Sequence, residues 1–110
     1  AVVSGTVTAS NDRTAYLTIV NEAYHAEYLY GASTPLATRV ELHRTRGQSE
    51  MVPVKRVEIP MSDQLDMRRA GYHLMLIGIK RPLRIGENIP VSLSFGDGRI
   101  QKTTLKVAGE

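Results

Sequence analysis

Gly71-Tyr72-His73-Leu74-Met75-Leu76-Ile77-Gly78-Ile79 is the stretch around which the rest of this chain is organised. Successive side chains of a β-strand point to opposite faces, so His73, Met75, Ile77 and Ile79 share one face while Tyr72, Leu74 and Leu76 share the other. Two mostly apolar faces predict a central strand buried on both sides, and with it a sheet architecture. The same alternation places an imidazole and a thioether side by side. Neutral imidazole and soft sulfur together suit monovalent copper, with no oxygen donors to favour magnesium or calcium. Taken alone, His73-x-Met75 is explained by packing, because Met fills irregular gaps and a lone His on an apolar strand is usually structural. The longer constellation points elsewhere. Met51 precedes His73 by twenty-one intervening residues and His43 precedes Met51 by seven, so two His and two Met bracket one region.

With these residues quoted, the chain resembles a known family, the periplasmic copper chaperones written PCu(A)C. That family's signature is a His or Met, a spacer, a Met, twenty-one residues and then His-x-Met; Met51, His73 and Met75 keep the later spacings, while the spacer after His43 is shorter than the family's. Similar stretches are Thr14-Ala15-Tyr16-Leu17-Thr18-Ile19-Val20-Asn21, LYGASTP from Leu29 to Pro35, Val40-Glu41-Leu42-His43, and GYHLMLIGIKRPL from Gly71 to Leu83. The resemblance runs from about Thr14 to Phe95. It implies a cupredoxin-like Greek-key β-sandwich or barrel, copper(I) as the bound ion, and His43, Met51, His73 and Met75 as its ligands. It also implies a periplasmic or extracytoplasmic location with the signal peptide removed. The partner it implies is a copper-receiving protein, the cytochrome c oxidase subunit with the binuclear copper centre. The His- and Met-rich tails of the family are not seen in this sequence.

A chain of 110 residues is expected to form one domain, 1–110, with a modest but sufficient core. No apolar run approaches the roughly twenty residues needed to cross a bilayer, so stable membrane insertion is not expected. The absence of Cys removes disulfides, thiolate zinc sites, iron–sulfur clusters and blue copper, whose defining bond is copper–thiolate. A thiol-free Met/His site would survive an oxidising compartment. The net charge of +3, with 5% aromatic residues, lacks the basic stripe and stacking rings of a nucleic-acid binder. Its distribution says more than its size. Arg44 and Arg46 follow His43, Lys55 and Arg56 follow Met51, Arg68 and Arg69 precede His73, and Lys80, Arg81 and Arg84 follow Met75. A solvated face accounts for this, and steering onto an acidic partner is the functional alternative.

Along the chain, strands are expected at 3–9, 14–20, 26–30, 39–45, 51–57, 64–67, 72–79, 89–95 and 99–107, with no helix and no repeat. Asn11-Asp12, the 46–50 segment, Pro60 with Ser62-Asp63, and Arg69-Ala70-Gly71 read as turns. Gly96-Asp97-Gly98 reads as a hairpin. Val40 and Leu42 alternate with Glu41, His43 and Thr45, which puts His43 off the core face. Met61 and Met67 are assigned to packing and His25 to the surface. A change of phase between Ile100 and the Thr103, Leu105, Val107 series predicts a β-bulge or an early strand end.

A copper chaperone that acts as a monomer and is not an enzyme is one function class; copper uptake, storage or supply of another copper enzyme is its variant. A β-sandwich adhesion or interaction module with packed Met and His is the other class. No Gly-x-Ser-x-Gly, phosphate-binding Gly loop or His-Glu-x-x-His is present to argue for an enzyme.

Overall fold

The computed structural model describes residues 1–9, 13–47, 50–69 and 71–109. Along them run ten strands: β1 (Val2–Thr8), β2 (Thr14–Val20), β3 (Glu27–Ser33), β4 (Ala37–Arg46), β5 (Glu50–Pro53), β6 (Val57–Ile59), β7 (Gln64–Asp66), β8 (Tyr72–Ile79), β9 (Asn88–Phe95) and β10 (Ile100–Ala108). No helix occurs among the described residues. Hydrogen-bonded neighbours follow the order β5-β4-β8-β2-β1-β10-β9-β3-β6, and an Ala32↔Val40 pairing of β3 with β4 joins the two arms of that path. Seven strands therefore close into a barrel, with β5, β6 and β7 attached to it. Among the described residues only the β1–β10 pair is parallel. Closure leaves few free edges, and short strands cover what remains.

Alternation fills the barrel from every strand. Val7, Leu17, Leu29, Leu42, Leu74, Ile89, Leu93, Leu105 and Val107 are all at least nine-tenths buried in one contiguous core. The radius of gyration, 13.3 Å, matches the about 13 Å of a compact chain this long. As anticipated, β8 is central, lying between β4 and β2. Leu42 faces Leu74 and Val40 faces Leu76 across the β4–β8 pair, so these residues share the core side.

The structure departs from the sequence reading in several places. The single strand expected over 51–57 is two, β5 on β4 and β6 on β3. Pro53 has no N–H to extend a ladder and is tolerated at this edge, and the chain then crosses to the other side of the sheet. β10 carries no bulge: its register with β9 is unbroken from Ile100↔Ser94 to Lys106↔Asn88, and Ile100 simply faces outward, 62% exposed. The irregularity lies in β3, where the register against β9 shifts between Leu29 and Gly31. Met67 packs in the core as expected, whereas Met61 is 59% exposed and fills no gap. The expected hairpin at 96–98 is present, with the Gly98 N–H donating to the Phe95 carbonyl and Gly98 at φ 82°. The turns expected at Asn11-Asp12, within 46–50 and at Ala70 lie wholly or partly outside the described residues.

Candidate metal centre

Four strands, β5, β4, β8 and β2, build one surface from side chains that alternate away from the core. Its central row is His43 directly opposite His73. Thr14↔Met75 and Ala15↔Leu74 fix β2 on the far side of β8, so Tyr16 comes next to His73, with ring centroids 6.3 Å apart. One row along, Met75 lies between Glu41 and Thr14. One row the other way, Met51 lies opposite Thr45, which shares the His43 face of β4. The backbone thus places all four sequence-identified residues on one face, with a thioether to either side of the His pair along the strands. Their burial is graded: His73 is 1% exposed, His43 8%, Met75 half-buried and Met51 44%.

The two imidazoles meet edge to face, 5.8 Å between centroids at 78°. An imidazole nitrogen binds a metal at about 2.0 Å, which puts each ring centroid about 3 Å from the ion. Two rings sharing one ion are then separated by up to about 6 Å, so the observed spacing is in range. Each ring also has one nitrogen engaged and one unpartnered. The Nδ1 atom of His73 is 3.2 Å from the Gly71 carbonyl oxygen. A carbonyl can only accept, so Nδ1 carries the hydrogen and Nε2 keeps its lone pair. The Nε2 atom of His43 lies 2.9 Å from Glu41 Oε1. Against an ionised carboxylate Nε2 carries the hydrogen, which leaves the lone pair on Nδ1 in the neutral ring. Both remaining atoms, His43 Nδ1 and His73 Nε2, are buried without a hydrogen-bond partner. Buried polar atoms are seldom left so, and a pair of them on facing rings is what a metal site presents before the ion arrives.

The charge environment agrees. Burial, more than any other effect, holds the His73 imidazole below its usual range; the Gly71 hydrogen bond works against this and the neighbouring His43 adds to it. A neutral ring at physiological pH is the ligating form. The guanidinium of Arg39 first, then the ring of His43, hold the Glu41 carboxyl below its ordinary value. Among the described residues no three His, Asp or Glu side chains gather as a metal-binding group; the further soft donor atoms available on this face are the thioether sulfurs of Met51 and Met75.

The sequence singles out His43, Met51, His73 and Met75 as candidates but not Tyr16 or the Gly71 carbonyl. Glu41 was placed on the His43 face without a role, and the i, i+2 alternation was the available signal. The contact of Tyr16 with His73 depends on cross-strand register, for which no local signal exists. His25 lies away from this face, in the segment just before β3, and is exposed.

A family model described as "Putative lipoprotein LpqE-like" matches residues 1–107. A curated relative, "Putative lipoprotein Lxx21020" of Leifsonia xyli subsp. xyli, is 35% identical over 81 residues, covering 70% of this chain and 49% of its own length. The chain therefore spans about half the length of that relative. The solution structure of CuI-DR1885 from Deinococcus radiodurans is 36% identical with a TM-score of 0.81, covering 99% of this chain and 78% of that one. The copper-bound PCuAC domain from PmoF2 superposes with a TM-score of 0.82 over 98% of this chain and 92% of that one. At 17% identity the last comparison bears on the fold alone, and it agrees with the cupredoxin-like barrel expected from the sequence.

Proposed function

The chain belongs to the LpqE-like lipoprotein family, which is the PCu(A)C family of copper-binding domains, and from that premise we propose that it is a copper(I) chaperone whose ligands are His43, Met51, His73 and Met75. The observation that carries this reading is the pair of buried, unpartnered nitrogens, His43 Nδ1 and His73 Nε2, on facing rings flanked by two thioethers. A set of two neutral nitrogens and two neutral sulfurs favours the soft monovalent ion over copper(II). The thioethers have no proton to lose, so metal uptake through them is less dependent on pH than uptake by thiolates.

The graded burial supplies a transfer route. The His residues are anchored in the sheet, whereas Met51 stands exposed on the edge strand β5. An incoming donor from a recipient can displace Met51 first, while the imidazoles hold the ion. The role is binding and handing over a metal rather than catalysis. The recipient we propose is the binuclear copper centre of cytochrome c oxidase, outside the cytoplasm, and residues 1–110 form one domain that acts as a monomer. Competition titrations with a copper(I) chelator test the reading: copper(I) is expected to be held at one equivalent and far more tightly than copper(II). A preference for copper(II), or no retention of copper(I), would overturn it.

A further inference from the structure

Beyond the four donors, β4 carries a row of three polar side chains at alternate positions on the site face: Arg39, Glu41 and His43. Arg39 Nε donates to Glu41 Oε2 at 2.8 Å, and Glu41 Oε1 accepts from His43 Nε2 at 2.9 Å. One carboxylate thus joins a guanidinium that is 59% exposed to an imidazole that is 10% exposed. We propose that Glu41 is the positioning residue of the copper site: it holds the Nε2–H tautomer and the ring orientation of His43 so that the Nδ1 lone pair faces the ion, and Arg39 holds Glu41 in turn.

Three features support this role. The Nδ1 atom of His43 is buried and unpartnered, so the hydrogen bond from Nε2 to Glu41 is the ring's polar anchor among the described residues. A carboxylate accepts but cannot donate, so it selects one tautomer, whereas a water molecule in its place would accept either arrangement. Glu41 also sits directly opposite Met75 in the β4–β8 register, so the same side chain borders a second donor. His73 needs no such partner, because a backbone carbonyl performs the equivalent task on its Nδ1. The two imidazoles are therefore held by different means, one by main chain and one by a replaceable side chain, and only the second can be tuned by substitution. Carboxylates behind metal-bound imidazoles act in this way generally, and their loss weakens metal binding about 10–100-fold.

The proposal rests on the copper(I) reading above, and its test separates the two. Ring 15N spectra of the metal-free protein, with copper(I) competition titrations, are recorded for the wild type, Glu41→Leu and Glu41→Gln; dispersed backbone amide spectra certify folding. The wild type is expected to show His43 as a single Nε2–H tautomer with a slowly exchanging ring proton. Glu41→Leu is expected to lose that protected proton and to bind copper(I) about 10–100-fold more weakly. Glu41→Gln, whose amide oxygen still accepts, is expected to recover most of both. A His43 ring signature unchanged in Glu41→Leu would overturn the role of Glu41, whatever the metal does. A wild type that retains no copper(I) while Glu41→Leu still frees the His43 ring would overturn the copper reading and support the hold of Glu41 on the ring.

Discussion

Leucine nearly matches methionine in volume but has no sulfur lone pair, so Met51→Leu and Met75→Leu separate ligation from packing. Swaps of this kind usually cost less than about 1.5 kcal/mol in stability. Copper(I) affinity in competition titrations is expected to fall severely in each variant while thermal unfolding barely moves; unchanged affinity in both would remove the thioethers from the site. His73→Ala is expected to cost more affinity than His43→Ala, because His73 is the more deeply buried and is anchored by main chain. The same burial sets a pH dependence for the metal-free protein. An unfolded chain protonates His near pH 6.5, whereas folded His73 does so only at lower pH. Between those values the unfolded state binds more protons, so stability falls as pH drops below about 6.5 and is intact above it. Thermal unfolding followed from pH 8 to pH 5 should show this slope, and His73→Gln should reduce it.

At the scale of elements, much of the architecture was legible. The 14–20 and 72–79 strands have the expected bounds because their alternation is strong and their ends carry no competing residues. The division of 51–57 was not legible, because Val52, Val54 and Val57 are spread over a segment of ordinary strand length, and Pro53 with the polar Lys55-Arg56 pair is a weak local mark of the crossing. The role of Asn21 was also hidden: it is 1% exposed, and its amide nitrogen lies within hydrogen-bond distance of the carbonyls of His25, Ile59 and Pro60. Such a tie between distant segments leaves no periodic trace. Gly5 is another position set by cross-strand geometry. A Cβ there would lie 2.5 Å from the Tyr16 carbonyl oxygen and 2.9 Å from Leu17 Cα. Because both are backbone atoms, β1 must move away from β2, and Gly5→Ala is expected to destabilise by about 1–3 kcal/mol in denaturant unfolding. A neutral Gly5→Ala would show that the β1–β2 approach has slack.

For the whole molecule, β-alternation is a strict geometric rule, and the folded barrel brings His43, Met51, His73 and Met75, which the sequence singles out, to one face. What the sequence could not give was the state of each imidazole, which depends on Gly71 and Glu41. The charge distribution also belongs to this scale. Arg44, Arg68 and Arg69 are exposed near the start of β8 and the end of β4, while Arg46 is engaged by Glu50. If this basic rim steers an acidic recipient, copper transfer should slow as ionic strength rises while the chaperone's own copper affinity changes little. Stopped-flow transfer rates that ignore salt would reduce the rim to a solvated face.

The central claim is that one copper(I) ion is held by two imidazoles and two thioethers on the β5-β4-β8-β2 face. Copper K-edge X-ray absorption of the protein loaded with one equivalent of copper(I) tests it most directly. The expected spectrum is that of monovalent copper with two nitrogen and two sulfur neighbours, losing one sulfur in Met51→Leu and one in Met75→Leu. A first shell of nitrogen and oxygen alone, unaltered by either substitution, would contradict it.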